Sequence, residues 1–335
     1  MLRSICLILG LWIGCLANAQ QPISALQRYE FYGQAQGTGY TISYYHKSPI
    51  ITQVSIDSIF EVIDKSMSLY RWDSKISSFN LSSTNQIILD PHMQKVLKKS
   101  FQVHKESKGL FDITVKPLVS IWGFGPEKTV GIPDSSSILQ TLQLVGMNKL
   151  KMSGHKLIKM TPGMQIDLNG IAQGYTVDVL ADFLKSKAVK SFIVEVGGEI
   201  RAEGYKPGKE SYKVLLQRPE QAQGVKESII ELKNMAITTS GSYEKFRTVK
   251  NYRFSHHMDP TTGYPLKSSI ISVSVISKKA MDADAYDNVF MAMKPQDAIA
   301  FANKKNKMDI YLIYLDEGVV KEAYSKGFKK YLISN

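Results

Sequence analysis

Cysteine is nearly missing from this chain. Of 335 residues only Cys6 and Cys15 are cysteine, and both lie near the N-terminus. Past Cys15 there is no basis for a disulfide framework, a thiolate metal site or a cysteine nucleophile. Long apolar runs are also wanting. Ile5–Leu16 is apolar, but a permanent bilayer span needs about 20 such residues. Internal repeats, low-complexity stretches and linkers are absent. Lysine and arginine outnumber acids by 42 to 30, for a net charge of +12. The lysines are scattered, with no basic block interleaved with aromatics, so nucleic-acid binding is not expected. Such a surface favours anionic ligands or membrane surfaces only weakly. Neither a P-loop nor a GxGxxG fingerprint occurs.

What is present first sets an expected compartment. Arg3 and the apolar run precede Ala17-Asn18-Ala19, the small-x-small pattern of a signal-peptide cleavage site, with the cut before Gln20. The expectation is a leader at 1–19 and one exported, periplasmic domain at 20–335. Ile13-Gly14-Cys15 partly resembles a lipobox, so a lipid anchor on Cys15 is the alternative. Trp12 fits that pattern poorly.

The remainder has the composition of a soluble globular chain, 44% hydrophobic and 21% charged. Helical spacing links Ile56, Ile59, Phe60, Ile63 and Met67, with Asp57 as N-cap. Asp90-Pro91 opens a second helix that Gly109 stops. Asp134 caps a third, and a fourth runs from about Gly170 to Lys187. Strands are expected at Gly39–Tyr45, Leu157–Met160, Phe192–Val196, Ser211–Gln217, Ser228–Leu232, Ile270–Ile276 and Asp309–Tyr314. Helices and strands alternate without a regular βαβ rhythm, so the expected class is α+β.

Several segments hold more Gly, Asp, Ser and Thr than packing requires. In KKAMDADAYDNVFMAM, Asp284 and Asn288 are four residues apart and share one helix face. Two such oxygens can hold a hard cation, with waters and phosphate oxygens completing its shell. The competing reading is an ordinary helix with polar residues outward. In RFSHHMDPTTGYP, His256 and His257 could supply a base near neutral pH. In SLYRWDSKISSFN, Tyr70 and Trp72 could stack on a planar ring or pack in the core. Asp112 and Thr114 could bond a ligand or tie down a turn. QIDLNGIAQGYTVD reads as a strand running into a helix start, where free N–H groups attract phosphate. Gly170 and Gly174 there allow close approach of a ligand or of another helix. The glycine pair of VEVGGEIRAEG reads as a ligand-facing bend or a bulge. AITTSGSYEKF reads as an anion-holding loop or a capped turn.

In their order and wording these motifs resemble one family, the ApbE family of FAD:protein FMN transferases. The resemblance spans roughly residues 30–325 through Gly37-Thr38, SLYRWDSKISSFN, GLFDITVKPLVSIWGF, QIDLNGIAQGYTVD, EVGGEIRAEG, AITTSGSY, HHMDPTTGYP and MDADAYDN. It implies a single mixed domain of β-sheets flanked by helices, with a T-fold-like core. The implied activity is transfer of FMN from FAD to a Ser or Thr hydroxyl of a target protein, releasing AMP. The implied partners are FAD and an acceptor such as a redox-pump subunit or an exported flavoprotein. No acceptor-like D-x-x-[ST]-[GS]-A-T segment is found, so self-modification is not indicated.

The same resemblance assigns residues. The family histidine three positions before the Asp259-Pro260 pair falls on His256, as the base that deprotonates the acceptor hydroxyl. His257 is out of register and reads as structural. The family's Mg²⁺ site falls on the backbone oxygen of Ala172, on Asp284 and on Asn288. The isoalloxazine is expected against Tyr70 and its neighbours, Asp112 among the candidate contacts. The adenosine and pyrophosphate side is expected at Gly174, Asp178, Glu195, Gly197, Gly198, Thr239 and Ser240. Two positions depart from the pattern. Gln173 stands where a lysine is usual, giving up a charge but keeping two donors. Asn288 stands where a threonine is usual, offering an amide oxygen in place of a hydroxyl. FAD hydrolysis to FMN and AMP, or flavin binding with little turnover, are the other readings.

Overall fold

The computed structural model describes residues 25–333, apart from 82, 127–130, 218, 220–221, 223–224, 226, 243–245 and 250–251, and without the side chains of 249, 252 and 253. The expected leader with Cys15, and Tyr243 at the end of AITTSGSY, lie outside the described residues. The helices among those residues are α1 (Gln53–Met67), α2 (Lys75–Leu81), α3 (Pro91–Glu106), α4 (Lys116–Ile121), α5 (Ser135–Leu142), α6 (Asn169–Ser186), α7 (Ala280–Met291) and α8 (Pro295–Lys304). The strands are β1 (Gln27–Ala35), β2 (Thr38–His46), β3 (Gln86–Ile88), β4 (Leu150–Ser153), β5 (Lys156–Lys159), β6 (Ser191–Val196), β7 (Glu199–Glu203), β8 (Tyr212–Leu216), β9 (Ser228–Leu232), β10 (Met235–Gly241), β11 (Phe246–Val249), β12 (Tyr252–Ser255), β13 (Ile270–Ser277), β14 (Asp309–Asp316) and β15 (Val319–Tyr324).

Eight strands form one sheet in the order β1-β2-β6-β7-β10-β13-β14-β15, and its neighbours pair antiparallel. This is the α+β class expected. All seven expected strands occur, each end within two residues of its predicted place. The first helix starts earlier than Asp57. Thr52 caps it through a reciprocal pair of bonds with Ser55, and Asp57 instead accepts from Gln53 Nε2 at 2.7 Å within the helix.

Two segments differ in kind from their sequence reading. AITTSG is not a loop but β10, an interior strand between β7 and β13. Its hydroxyls mimic turn chemistry, yet their partners come from distant parts of the chain. Gln165–Leu168 forms no strand. It is an irregular segment whose N–H groups bond Asn80 Oδ1, from Ile166 at 2.8 Å, and Ile113 O, from Asp167 at 2.7 Å. The glycine pair of VEVGGEIRAEG makes the two-residue turn between β6 and β7, where Val196 faces Glu199. Gly197 and Gly198 have φ of +61° and +103°, the left-handed geometry such a turn demands.

Helices α6 and α7 pack closely against each other. Of the twelve residues of α7, nine are buried, Asp284 and Asp287 among them. A helix so placed cannot leave its acids unpaired, because an isolated buried carboxylate is strongly unfavourable. The approach depends on Gly174: a Cβ there would sit 2.4 Å from the Ala280 carbonyl oxygen. Of the two explanations for this glycine, tight helix packing is the one observed.

Candidate active site

A cavity of about 400 Å³ opens where these elements meet. The β1–β2 turn lines it through Gln36, Gly37 and Thr38, and the loop after α1 through Tyr70. Residues 110–113 and α4 form another wall; the start of α6 and the β6–β7 turn form a third. Thr239 and Ser240 at the end of β10, His256 and His257, and Asp284, Asp287 and Asn288 of α7 complete it.

Five acidic side chains line this cavity, Asp112, Asp167, Glu199, Asp284 and Asp287, and no lysine or arginine does so among the described residues. An anionic ligand here needs neutralising charge from elsewhere, such as a bound cation. The donors suit one. Asp284 Oδ2 accepts from the Gly174 N–H at 2.7 Å, and Asn288 Nδ2 donates to the Gly170 carbonyl at 3.4 Å. Ala172 lies between those two glycines on α6. Its carbonyl accepts from Thr176 Oγ1 at 2.9 Å, one turn further along α6. Asp284 and Asn288 line the cavity, while Ala172 is not among the lining residues; a carboxylate, an amide oxygen and a carbonyl oxygen would be hard-oxygen donors of the kind magnesium takes. No group of three or more His, Cys, Asp or Glu side chains with metal-site geometry occurs among the described residues. An amide-and-carbonyl set would not produce one.

The two histidines sit side by side in the wall of the cavity. His257 is 7% exposed. Its Nε2 meets Ser240 Oγ at 3.0 Å and its Nδ1 meets Ser255 Oγ at 2.9 Å. Both ring nitrogens are thus engaged with hydroxyls, a bracing arrangement. The His256 ring lies 4.0 Å from that of His257, tilted by 39°, and lines the cavity.

Other candidates fall in varied places. Tyr70 lines the cavity and is 68% exposed, whereas Trp72, at 87%, packs in no core. Asp112 lines the cavity but also ties down its turn, accepting from the Thr114 N–H at 2.7 Å and the Met147 N–H at 3.2 Å. Gln173 Nε2 donates to the Val196 carbonyl at 3.0 Å, beside Gly197. Thr239 Oγ1 meets Ser274 Oγ at 2.8 Å. Glu195 lines a shallower adjoining groove that shares Thr38 and Gly197 with the cavity, and its Oε1 accepts from the Gly198 N–H at 2.8 Å.

Asp178 stands apart from the cavity, contrary to the contact expected of it. It is 4% exposed and pairs with Arg201 Nη1 at 2.8 Å. It also accepts from the N–H groups of Ala280 and Met281 at 3.2 and 3.1 Å. It therefore caps α7 from α6, where Lys279 supplies no side-chain cap. Burial pushes its carboxyl up, against the pull of Arg201. Gly174 likewise serves the α6–α7 contact and is not among the lining residues. The residue missed from sequence is Asp287, three positions after Asp284 on α7. That spacing already places it near the same face.

The ApbE family profile matches residues 36–312. The chain is 32% identical to the FAD:protein FMN transferase of Vibrio cholerae over 323 residues, which cover 95% of this chain and 96% of that one. It is 31% identical to the FAD:protein FMN transferase of Haemophilus influenzae, over 89% and 90% of the two chains. Among solved structures, the flavin transferase ApbE from Vibrio cholerae superposes with a TM-score of 0.83 at 32% identity, covering 92% of this chain and all of that one. The apo form of the Pseudomonas stutzeri flavinyl transferase ApbE gives 0.84 at 28% identity, covering 94% and 100%.

Proposed function

The chain belongs to the ApbE family, and from that premise we propose that it is an FAD:protein FMN transferase acting on a Ser or Thr hydroxyl. FAD is the donor substrate and a protein the acceptor. The observation that supports this best is the convergence on one cavity of His256 with the oxygens of Asp284 and Asn288. In this reading His256 takes the proton of the acceptor hydroxyl. The freed oxygen attacks the phosphorus of the FMN half, the anhydride P–O bond breaks, and AMP leaves. A phosphodiester joins FMN to the acceptor, and no redox change is involved. Ala172 O, Asp284 and Asn288 would hold Mg²⁺, which would offset the charge of the pyrophosphate and of the leaving AMP. Tyr70 offers a ring face to the flavin, and Gln173 an amide to the pyrophosphate side.

Export to the periplasm is part of the proposal. It is supported by the leader pattern at 1–19, with an anchor on Cys15 as the variant form. No helix among the described residues is long and apolar enough to cross a membrane. The acceptor is proposed to be a redox-pump subunit or an exported flavoprotein. Incubation with FAD, Mg²⁺ and an acceptor bearing a flavinylation segment tests the whole reading. Covalent FMN on the acceptor with stoichiometric AMP is the expected result. Free FMN with or without acceptor would mean hydrolysis, and intact FAD would mean a binder.

A further inference from the structure

Asn288 presents a problem that a hydroxyl in its place would not. Its amide has two ends of opposite polarity, and only Oδ1 can face a cation. We infer that Asp287 fixes which end faces the cavity, and so acts as a positioning residue for Asn288; this rests on the cation reading above. Among the described residues, the hydrogen bonds of the Asn288 side chain run from Nδ2: to Asp287 Oδ1 at 2.9 Å, to the Asp284 carbonyl at 2.9 Å and to the Gly170 carbonyl at 3.4 Å. Turning the amide over would set Oδ1 against three oxygens. Of the three acceptors only Asp287 carries a charge, and bonds to charged acceptors are about twice as strong as neutral ones.

Asp287 is itself held in place. It is 2% exposed, and its Oδ2 accepts from Thr238 Oγ1 of β10 at 2.7 Å. The sheet thus orients the carboxylate, the carboxylate orients the amide, and the amide presents an oxygen to the site. Partners that orient metal ligands in this way typically alter metal affinity by 10–100-fold when removed.

The test is Mn²⁺ titration of the full chain, followed by the electron paramagnetic resonance signal of the free ion. Asp287→Asn should weaken Mn²⁺ binding roughly tenfold. In an Asn288→Asp background the ligand has two equivalent oxygens and needs no orientation. Adding Asp287→Asn there should cost little, or should tighten binding by removing a like charge. Thr238→Val, which removes its bond to Oδ2 but keeps the carboxylate, should give a smaller loss that also vanishes in that background. Equal losses in both backgrounds would mark Asp287 as a general structural or charge element and overturn the inference, as would no loss in the Asn288 background. Absence of saturable Mn²⁺ binding by the unaltered chain would instead remove the cation reading itself.

Discussion

His257 braces His256. The rings lie 4.0 Å apart, and the nitrogens of His257 are held by Ser240 on one side and Ser255 on the other. A histidine tied at both nitrogens is poorly placed to take a proton, and the proposed reading gives that task to His256. His256→Ala should therefore lower FMN transfer by roughly 10²–10⁴-fold, the usual scale for a general base, with FAD affinity little changed. His257→Ala should lower thermal stability and cut the rate less. Single-turnover rates alongside FAD titrations separate the two effects, and a silent His256→Ala would reverse the assignment.

Asp284 supplies the main fixed negative charge of the proposed cation site, and its Oδ2 also receives the Gly174 N–H at 2.7 Å. Asp284→Ala should remove Mg²⁺ dependence and activity together. Asn288→Thr keeps an oxygen at the same place and should be tolerated. Retained activity of Asp284→Ala in a chelator would rule out this site.

The legible parts of this site were the local ones. Asp284 and Asn288 share a face because helix periodicity operates within four residues, and α7 obeys it. The turn motif put His256 three positions before Asp259, again a local matter. The partner of Asp178 on α6 is Arg201, 23 positions away on β7, and such a long-range ion pair has no short-range signature. The hydroxyl run of β10 looked like a turn because nothing nearby satisfies it. Its partners Asp287, Ser274 and His257 are supplied by tertiary structure. Gly174 was ambiguous for the same reason, since only the packing of α6 and α7 says what fills the space above it.

That packing yields a prediction for Gly174→Ala. The new methyl would meet the Ala280 carbonyl at 2.4 Å and Asp284 Cβ at 2.7 Å. Backbone on one side leaves little room for relief. The substitution should destabilise the protein by about 1–3 kcal/mol, the usual cost of overpacking, and displace Asp284. Denaturant midpoints and Mg²⁺ half-saturation should both move. Neither would change if the helices could part freely.

Glu106 at the end of α3 accepts from Tyr286 in the middle of α7 and from Lys305 just past α8. Burial pushes its carboxyl up, but hydrogen bonds from Lys305, Tyr286 and Gln102 outweigh that and hold it at about 2, against an ordinary 4.5. A carboxyl whose folded value is depressed stabilises the fold above its unfolded value and loses that contribution as pH falls toward the folded one. The stability difference between the unaltered chain and Glu106→Gln should therefore be complete above about pH 5 and fade between roughly pH 4.5 and 2. Urea melts across that range decide it, and a pH-independent difference would point to packing in place of charge.

Gln173 offers the sharpest test of how this cavity handles anions. Its Nε2 donates to the Val196 carbonyl at 3.0 Å, so the amide now steadies the β6–β7 turn. The cavity it borders has five acids and no lysine or arginine among the described residues. Gln173→Lys would introduce a positive charge beside the proposed pyrophosphate position. A charged donor exceeds a neutral one by about 1 kcal/mol, so FAD binding should tighten roughly fivefold at low salt. The gain should shrink as ionic strength rises, because a partly exposed pair is screened. The lysine could instead be drawn to Asp284 and Asp287 and displace the cation. FAD binding would then stay equal or weaken at low salt while Mg²⁺ affinity dropped. Titrating FAD and Mg²⁺ separately into both proteins at two salt concentrations distinguishes a cavity that lost a charge from one rebuilt around an amide.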